Sequence, residues 1–255
     1  MPADFLLSIV IPAYNEELRL PETLAQLRMY AAKQPYRVEV MVVDDGSEDG
    51  TVQVVEAAAA TWPDLRLLRL AHAGKGHAIQ QGFLAASGDL LFMCDADLSM
   101  PIEQLAQFVA ATQDGLDVAI GSREAPGAVR YGEPARRHLM GRVFNWLVRH
   151  LVLPGIQDSQ CGFKCFRREV ARDLASCQKI TGWGFDVELL SIARKRGYRM
   201  QELPISWYYK ASSRIHPIRD TIYMTRDLLE VRRNHRAGCY ERVSQPESAL
   251  TSGNQ

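Results

Sequence analysis

The chain has 255 residues, 47% hydrophobic and 24% charged, enough for one α/β domain with a sizeable core and ordinary for a folded soluble protein. No apolar run reaches the roughly 18–20 residues that a spanning helix requires, and MPADFLLSIVIPAYNEE lacks the basic start of a signal peptide. Net charge is zero, but residues 1–121 carry 17 acidic against 7 basic side chains and residues 122–255 carry 13 against 23, so an acidic half suited to a cation precedes a basic half suited to an anion, a phosphate or a membrane surface.

The five cysteines (Cys94, Cys161, Cys165, Cys177, Cys239) follow neither a disulfide framework nor a zinc pattern. They read as reduced thiols of a cytosolic protein. No nucleic-acid partner is expected, and the sequence is silent on oligomeric state.

LLSIVI (6–11) predicts a first strand, and a helix follows from about Glu16 to Ala32. VEVMVV (38–43) is a second strand, and DGTVQVVEAAAA a second helix. LRLLRL (65–70) alternates weakly, GKGHAIQQGFLAAS (74–87) reads as a helix, and DLLFMC (89–94) as another strand. PIEQLAQFVAAT (101–112) opens a helix on Pro, and DVAIGS (117–122) is a further strand. Strands separated by helices of this length imply right-handed crossovers and a mostly parallel sheet.

The second half is less regular. Helices are expected over about Ala135 to Val152, over FDVELLSIARKRG (185–197) and over PIRDTIYMTRDLLEVRRNHR (217–236). DSQCGFKCF (158–166) reads as a loop and short strand, and YRMQELPISW (198–207) as a strand. Residues 1–240 are expected to form a single domain, with the first part (1–122) and the second (123–240) doing different work. The Ser/Gln/Pro/Gly-rich stretch 241–255 reads as a disordered tail.

In parallel sheets of this kind, ligands sit beyond the carboxyl ends of the strands. PAYNE, DDGS, DAD and GSR each follow a predicted strand, so four polar clusters fall on one sheet edge. Asp95 and Asp97 are two carboxylates one residue apart, a pattern that suits Mg²⁺ or Mn²⁺ shared with substrate phosphates, although an isolated pair of this type is more often a loop or cap. Asp44 and Asp45 read either as helix-cap acids or as a carboxylate for a base N–H or a ribose hydroxyl. Gly74-Lys75-Gly76 lets backbone N–H groups approach a phosphate and adds a charge, but it lacks the full phosphate-loop pattern.

IPAYNEE, VVDDGSEDGT, AGKGHAIQQGF, DAD and IGSR, in that order, resemble the family 2 glycosyltransferases with the GT-A fold, a Rossmann-like, mostly parallel α/β sheet flanked by helices. DSQCGFKCF, GWGFDVELLSIA and ASSR resemble the dolichyl-phosphate β-glucosyltransferase and polyprenyl-phosphate glycosyltransferase branch. The likeness runs from about residue 6 to 236. It implies a basic, acceptor-side C-terminal extension and these site residues. Pro12, Ala13, Tyr14 and Glu16 would line the base and ribose pocket; Asp45, with Val43 beside it, would contact the base. Lys75 would sit near the diphosphate, Asp95 and Asp97 would bind the metal, and Ala96 would pack on the ribose. Arg123 would face the phosphates or the acceptor, and Arg214 would contact phosphate. Where the related mannosyltransferases carry a Gln two residues after the second metal Asp, this chain has Ser99.

Family 2 members invert the anomeric centre. A hydroxyl acceptor needs a general base, whereas a phosphate monoester, with a second pKa of about 6, does not. Asp186 and Glu188 are candidates for that base, for orienting sugar hydroxyls, or for a structural ion pair. Asp158 is a candidate for holding the sugar or a loop Arg, or for a loop cap. Six arginines between Arg123 and Arg149 face only Glu124 and Glu133. In 135–153, His138, Arg142, Asn145 and Arg149 form one stripe beside Leu139, Val143, Trp146, Leu147, Val148 and Leu151; this fits a helix in a membrane interface and equally a core helix with a solvated stripe.

The resemblance therefore implies transfer of a hexose from a nucleotide sugar (UDP-glucose favoured) to a polyprenyl or dolichyl phosphate, giving a β-linked product. The enzyme is expected to be cytoplasmic, peripheral on the inner face of the cell membrane. A soluble family 2 enzyme acting on a hydroxyl acceptor, a GDP-mannose-using polyprenyl-phosphate mannosyltransferase, and an inactive nucleotide-sugar-binding module stay open as alternatives.

Overall fold

The computed structural model describes residues 5–210 and 217–241. Arg214 and the tail from residue 242 onward, both subjects of expectations above, lie outside the described residues.

The first half alternates strand and helix as its periodicity implies: β1 (Leu6–Ala13), α1 (Leu20–Ala32), β2 (Arg37–Asp44), α2 (Thr51–Ala59), β3 (Leu65–Arg69), α3 (Lys75–Ala85), β4 (Leu90–Met93), α4 (Leu105–Gln113) and β5 (Val118–Ser122). Two helices start later than expected. The chain turns at Glu16, whose carbonyl accepts from the backbone N–H groups of both Arg19 and Leu20, before α1 begins with Pro in its first turn. Likewise Pro101 is followed by a 3-10 turn, Ile102–Gln104, and α4 begins only at Leu105.

In the second half come β6 (Val129–Tyr131), α5 (Ala135–Leu151), β7 (Lys164–Arg167), α6 (Arg168–Cys177), α7 (Phe185–Lys195), β8 (Met200–Pro204), β9 (Ser206–Tyr208) and α8 (Pro217–Arg236). Helix α6 has no counterpart among the predicted elements, although Val170, Ala171, Leu174 and Ala175 recur at helical spacing and are buried. The predicted strand 198–207 is two strands, because the chain leaves the main sheet after Pro204 to join a second one.

The main sheet has the order β3-β2-β1-β4-β7-β5-β8. It is parallel except at β7, which runs antiparallel between β4 and β5. Strands from both halves of the chain thus share one sheet. Its faces are covered on both sides, so the central residues of β1 and β2 are apolar and buried in succession: Ile9, Ile11, Val40 and Val42 pack toward α1, α2 and α4, while Val10, Met41 and Val43 pack toward α3, α6 and α7. Gly82 lets α3 lie directly on Val10 and Val43, where any Cβ would collide.

Between β1 and β4 the strand order reverses direction, and this is where an open α/β sheet places its crevice. The loops after β1, β2 and β4 therefore converge. Beside them, β6 and β9 form a separate two-stranded parallel ribbon in which Arg130 pairs with Trp207 and Tyr131 with Tyr208.

Candidate active site

The loop after β4 carries Asp95-Ala96-Asp97, and the first turn of α3 carries Lys75. Lys75 Nζ donates to Asp95 Oδ1 at 2.6 Å. Burial pushes the Asp95 carboxyl up, but the Lys75 ammonium, with Lys164 and Arg123 further off, outweighs it and holds Asp95 below the usual carboxylate range. Asp97 behaves oppositely: burial and then the Asp95 charge raise it, with only Ser99 and Lys75 opposing. Ser99 N–H donates to Asp97 Oδ1 at 3.1 Å. Between them Leu98 adopts φ +43°, a conformation that side chains rarely occupy and that marks a tightly determined loop.

Around the end of β1, Tyr14 stacks on His72 with ring centroids 4.3 Å apart. Asp45 is buried and accepts from the backbone N–H groups of Ala73 and Gly74 at 2.9 Å each, while His72 Nδ1 lies 2.9 Å from Asp45 Oδ2. Asp44 and Asp45 do not cap α2, whose first residue is Thr51; Asp45 instead orders the loop that leads into Lys75. Gly74 has φ +113°, and a Cβ there would meet the Thr181 carbonyl at 2.5 Å. Only glycine lets the α3 N-terminus approach the 178–184 loop this closely.

Pro12 and Ala13 end β1, and Glu16 pairs with Arg19 at 3.1 Å. An open groove of about 470 Å³ is lined here by Asn15, Glu16, Arg19, Glu48 and Asp49. Asn15 sits at φ +53°, and the backbone N–H of Asn15 and Glu16 are fixed by the Ser47 and Thr51 hydroxyls. Ala96 is buried, and its carbonyl accepts from the Thr23 hydroxyl at 2.6 Å, tying the 95–97 loop to α1. Val43 is the exception in this group: its side chain is fully buried against α3, so it is a core residue and not a pocket wall. Only the family resemblance put it in the set, and its side chain lies on the face of β2 that α3 covers.

On the other side of the crevice, the Arg123 guanidinium grips Asp158 through Nε and Nη2 at 2.7 and 2.8 Å, and Asp158 also accepts the Arg123 backbone N–H. Burial raises the Asp158 carboxyl, but Arg123 overrides this and holds it low. Of the readings open for Asp158, the loop arginine is the one its geometry satisfies. Arg123 also lies 5.3 Å from the Trp207 ring centroid. Its charge reaches Asp95 only as a more distant neighbour.

Asp186 forms an ion pair with Lys164 Nζ at 2.5 Å, and both are buried. Burial lifts the Asp186 carboxyl above its usual range despite Lys164 and Lys75. Glu188 accepts from the backbone N–H groups of Lys179 and Ile180 and from the Tyr240 hydroxyl at 2.6 Å, so it braces the 178–184 loop. Lys164 was not anticipated as a site residue; it opens the short strand β7, and its partner lies 22 residues further along the chain. Trp183 is a second such residue. Its half-exposed ring lies 5.2 Å from Lys75 Nζ, held by a loop whose Gly184 N–H donates to Asp227.

The donor set suits a divalent ion. Two strand-end carboxylates, one held ionised by a lysine and one raised by its neighbour, form a locally negative pair that a cation would neutralise. No further His, Cys, Asp or Glu completes a cluster of three among the described residues, so phosphate oxygens and water would supply the remaining ligands, as Mg²⁺ and Mn²⁺ commonly require. The thiols are unsuited: Cys161 and Cys165 are buried, with pKa values pushed up to about 12.

Helix α5 differs from the expected stripe. Asn145 is buried, His138 lies 3.2 Å from Glu133, and Arg149 donates to Gln157. The outward ridge is instead Leu139, Val143 and Trp146, exposed by 63%, 54% and 51%, with Arg136 and Arg142 also exposed. Of the polar stripe only Asn145 is buried; His138 and Arg149 are half-buried against Glu133 and Gln157, and Arg142 stays exposed. No described helix is long and apolar enough to cross a membrane.

This geometry agrees with what comparison with known proteins finds. The glycosyl transferase family 2 profile matches residues 8–175. A dolichyl-phosphate β-glucosyltransferase of Trichomonas vaginalis is 36% identical over 94% of this chain and 74% of its own length. Enzymes of the same name from Drosophila melanogaster (37%, covering 88% and 74%) and Homo sapiens (32%, covering 92% and 77%) are similar over comparable spans. Among solved structures, glucosyl-3-phosphoglycerate synthase of Mycobacterium tuberculosis, crystallised with Mn²⁺, UDP and glucosyl-3-phosphoglycerate, superposes with TM-score 0.68 at 19% identity over 92% of this chain and 80% of its own. Mannosyl-3-phosphoglycerate synthase of Rubrobacter xylanophilus superposes with TM-score 0.69 at 19% identity, covering 94% and 77%. With its GT-A sheet, its strand-end carboxylates and a family match spanning most of its length, this chain belongs to glycosyl transferase family 2.

Proposed function

We propose that this hexosyltransferase transfers glucose, with inversion, from UDP-glucose to a polyprenyl phosphate at a membrane surface. The observation that carries the reading is the similarity to dolichyl-phosphate β-glucosyltransferases over nearly the whole chain. The site is chemically consistent with it. A phosphate oxygen of the acceptor attacks the anomeric carbon, the bond to the UDP oxygen breaks, and UDP leaves with the electron pair.

A divalent ion on Asp95 and Asp97 would supply the Lewis acid that neutralises the departing diphosphate. Lys75, at the N-terminus of α3, adds a second positive group on the same side, and the first-turn N–H groups of that helix favour an anion. Tyr14 and Asp45 would fix the nucleoside end; Asp45 acts largely by ordering the 72–74 loop.

The acceptor argument rests on the missing base. The two carboxylates suited to deprotonating a hydroxyl are already engaged: Asp186 with Lys164, Glu188 with two backbone N–H groups and Tyr240. A phosphate monoester is largely dianionic at neutral pH and needs no deprotonation, only positioning and charge neutralisation. The exposed apolar ridge on α5, bordered by Arg136 and Arg142, fits the interface of an anionic bilayer in which such an acceptor would sit.

The test is an incubation of the purified protein with UDP-glucose, Mg²⁺ or Mn²⁺, and a polyprenyl phosphate in detergent. Formation of a lipid-linked, acid-labile β-glucoside is expected, with GDP-mannose and UDP-galactose giving far less product. Efficient transfer to a soluble hydroxyl acceptor with no lipid-linked sugar overturns the acceptor assignment, and preference for GDP-mannose overturns the donor.

A further inference from the structure

The β6–β9 ribbon has one buried face and one bare face. Because strand side chains alternate, Arg130 and Trp207 point inward: Trp207 is 8% exposed, and Arg130 bridges Glu124 and Glu133 at 2.6 Å each. The opposite face presents Val129, Tyr131 and Tyr208, exposed by 42%, 44% and 44%. Tyr131 and Tyr208 are register partners, and their rings stack at 4.5 Å with an interplanar angle of 12°. Two aromatic rings and a valine form a flat apolar patch that nothing in the described fold covers.

The position of this patch indicates what would cover it. On one side, Tyr208 N–H donates to the carbonyl of Ser99, whose own N–H holds Asp97, so the ribbon is fastened to the metal loop. Arg130 Nε donates to the Arg123 carbonyl, joining it to the cationic side of the crevice. On the other side, the Arg137 guanidinium of the first turn of α5 lies 5.0 Å from the ring of Tyr209, the residue after the ribbon. The ribbon thus stands between the carboxylates that would hold the diphosphate and the helix whose apolar ridge faces outward.

We infer that the Val129–Tyr131–Tyr208 face receives the proximal isoprene units of the acceptor lipid and so makes the enzyme discriminate by acceptor chain length. This rests on the proposed transfer to a polyprenyl phosphate and adds the residues that would select among such acceptors. The chemistry is complementary: an acceptor with an anionic head and a branched, unsaturated tail needs cations at one end and a flat apolar platform directly next to them. Stacked tyrosines offer that area with little side-chain entropy left to lose, because each ring already holds the other.

The test compares kcat/KM for undecaprenyl phosphate with kcat/KM for ethyl phosphate, which lacks any isoprene unit, using UDP-glucose as donor and UDP binding by calorimetry as the check on folding. Wild type is expected to prefer the longer acceptor. In the Tyr131→Ser/Tyr208→Ser double variant the ratio is expected to fall about tenfold, equivalent to about 1.4 kcal/mol of lost discrimination, while Tyr131→Phe/Tyr208→Phe retains it. Val129→Ser, at an exposed position of the same face, is expected to lower the ratio in the same direction and supplies a second reading if the double variant fails to bind UDP. Wild type that uses polyprenyl phosphates without chain-length preference, or serine variants that keep the wild-type ratio, overturn the inference and leave the functional reading standing. Wild type that uses neither phosphate overturns both.

Discussion

Lys75 Nζ lies 2.6 Å from Asp95 Oδ1, so the cation expected at the diphosphate is paired with the carboxylate expected at the metal. Burial opposes the charge on both partners, and their mutual attraction outweighs it: the Lys75 pKa is raised and the Asp95 pKa lowered. A divalent ion must therefore compete with Lys75 for Asp95, and the lysine becomes available to phosphate as the ion takes its place. Lys75→Met is expected to tighten Mn²⁺ binding in the absence of nucleotide, measured by calorimetry. The same variant should slow glucosyl transfer by roughly 100-fold, the scale of removing one preorganised charge from a transition state. Weaker Mn²⁺ binding in the variant would show that the lysine supports the ion site and does not compete with it.

Among the described residues Asp97 makes no ion pair with a lysine, and burial and then Asp95 raise its carboxyl against the weaker pull of Ser99 and Lys75. Asp97→Ala should abolish metal-dependent turnover while leaving the thermal transition near that of wild type. Removing metal from wild type with EDTA should do the same, reversibly on adding Mn²⁺. Full activity in EDTA counts against the ion.

Asp158 is fully buried and its charge is met by Arg123 through two side-chain hydrogen bonds. Asp158→Ala removes the anion from a guanidinium that is only partly exposed and is expected to destabilise the fold by about 2–4 kcal/mol in urea unfolding, below the cost of a fully buried unpaired charge. Arg123→Met/Asp158→Leu should recover much of the stability but not the activity. An Asp158→Ala protein as stable as wild type would mean that Arg123 finds another partner.

Gly184 opens α7, and any Cβ there would collide with the Asp227 side chain from α8. Its N–H donates to that same carboxylate. Gly184→Ala should push α8 away from the 178–184 loop and displace Trp183 from Lys75. The expected readout is a rise in donor KM together with a red shift in tryptophan emission; unchanged emission would mean that α8 yields instead.

His235 carries a pH prediction. Burial, then the charge of Lys195, lower its pKa from 6.5. Below that value the unfolded chain takes up a proton that the folded chain resists, so this residue's contribution to stability is lost as pH falls through the window beneath 6.5. His235→Gln should narrow the gap to wild type, or exceed wild-type stability, as pH is lowered from about 7.5 to about 5.5 in urea titrations. A stability difference constant across that range removes the histidine from the acid response.

Much of the first half was legible because its signals are local. β1, β2 and β4 carry apolar runs at 9–11, 40–43 and 90–93, each followed by polar residues that the parallel topology places at one edge. The strand-end position of Asp95 and Asp97 followed from that pattern, whereas Lys75 was legible as the opening of a helix and its nearness to a diphosphate only as what the family resemblance implies. Val43, carried over from the family resemblance, has its side chain in the core.

The second half was less legible because its decisive relationships are long-range. Antiparallel β7 enters the middle of the sheet. Asp186 and Lys164, separated by a sequence distance of 22 residues, meet as a buried pair. Helix α5 turns an apolar ridge outward although its sequence displays an equally good polar stripe.

By itself the sequence determined the alternation of strands and helices and the identity of the strand-end carboxylates, because periodicity and chain direction are properties of short segments. Only the tertiary structure decided which charges are engaged and which faces remain bare. Lys75 with Asp95, Arg123 with Asp158, and Tyr131 against Tyr208 are each brought together from separate elements. Burial and proximity between such elements depend on how the sheet is assembled, and no local pattern records them.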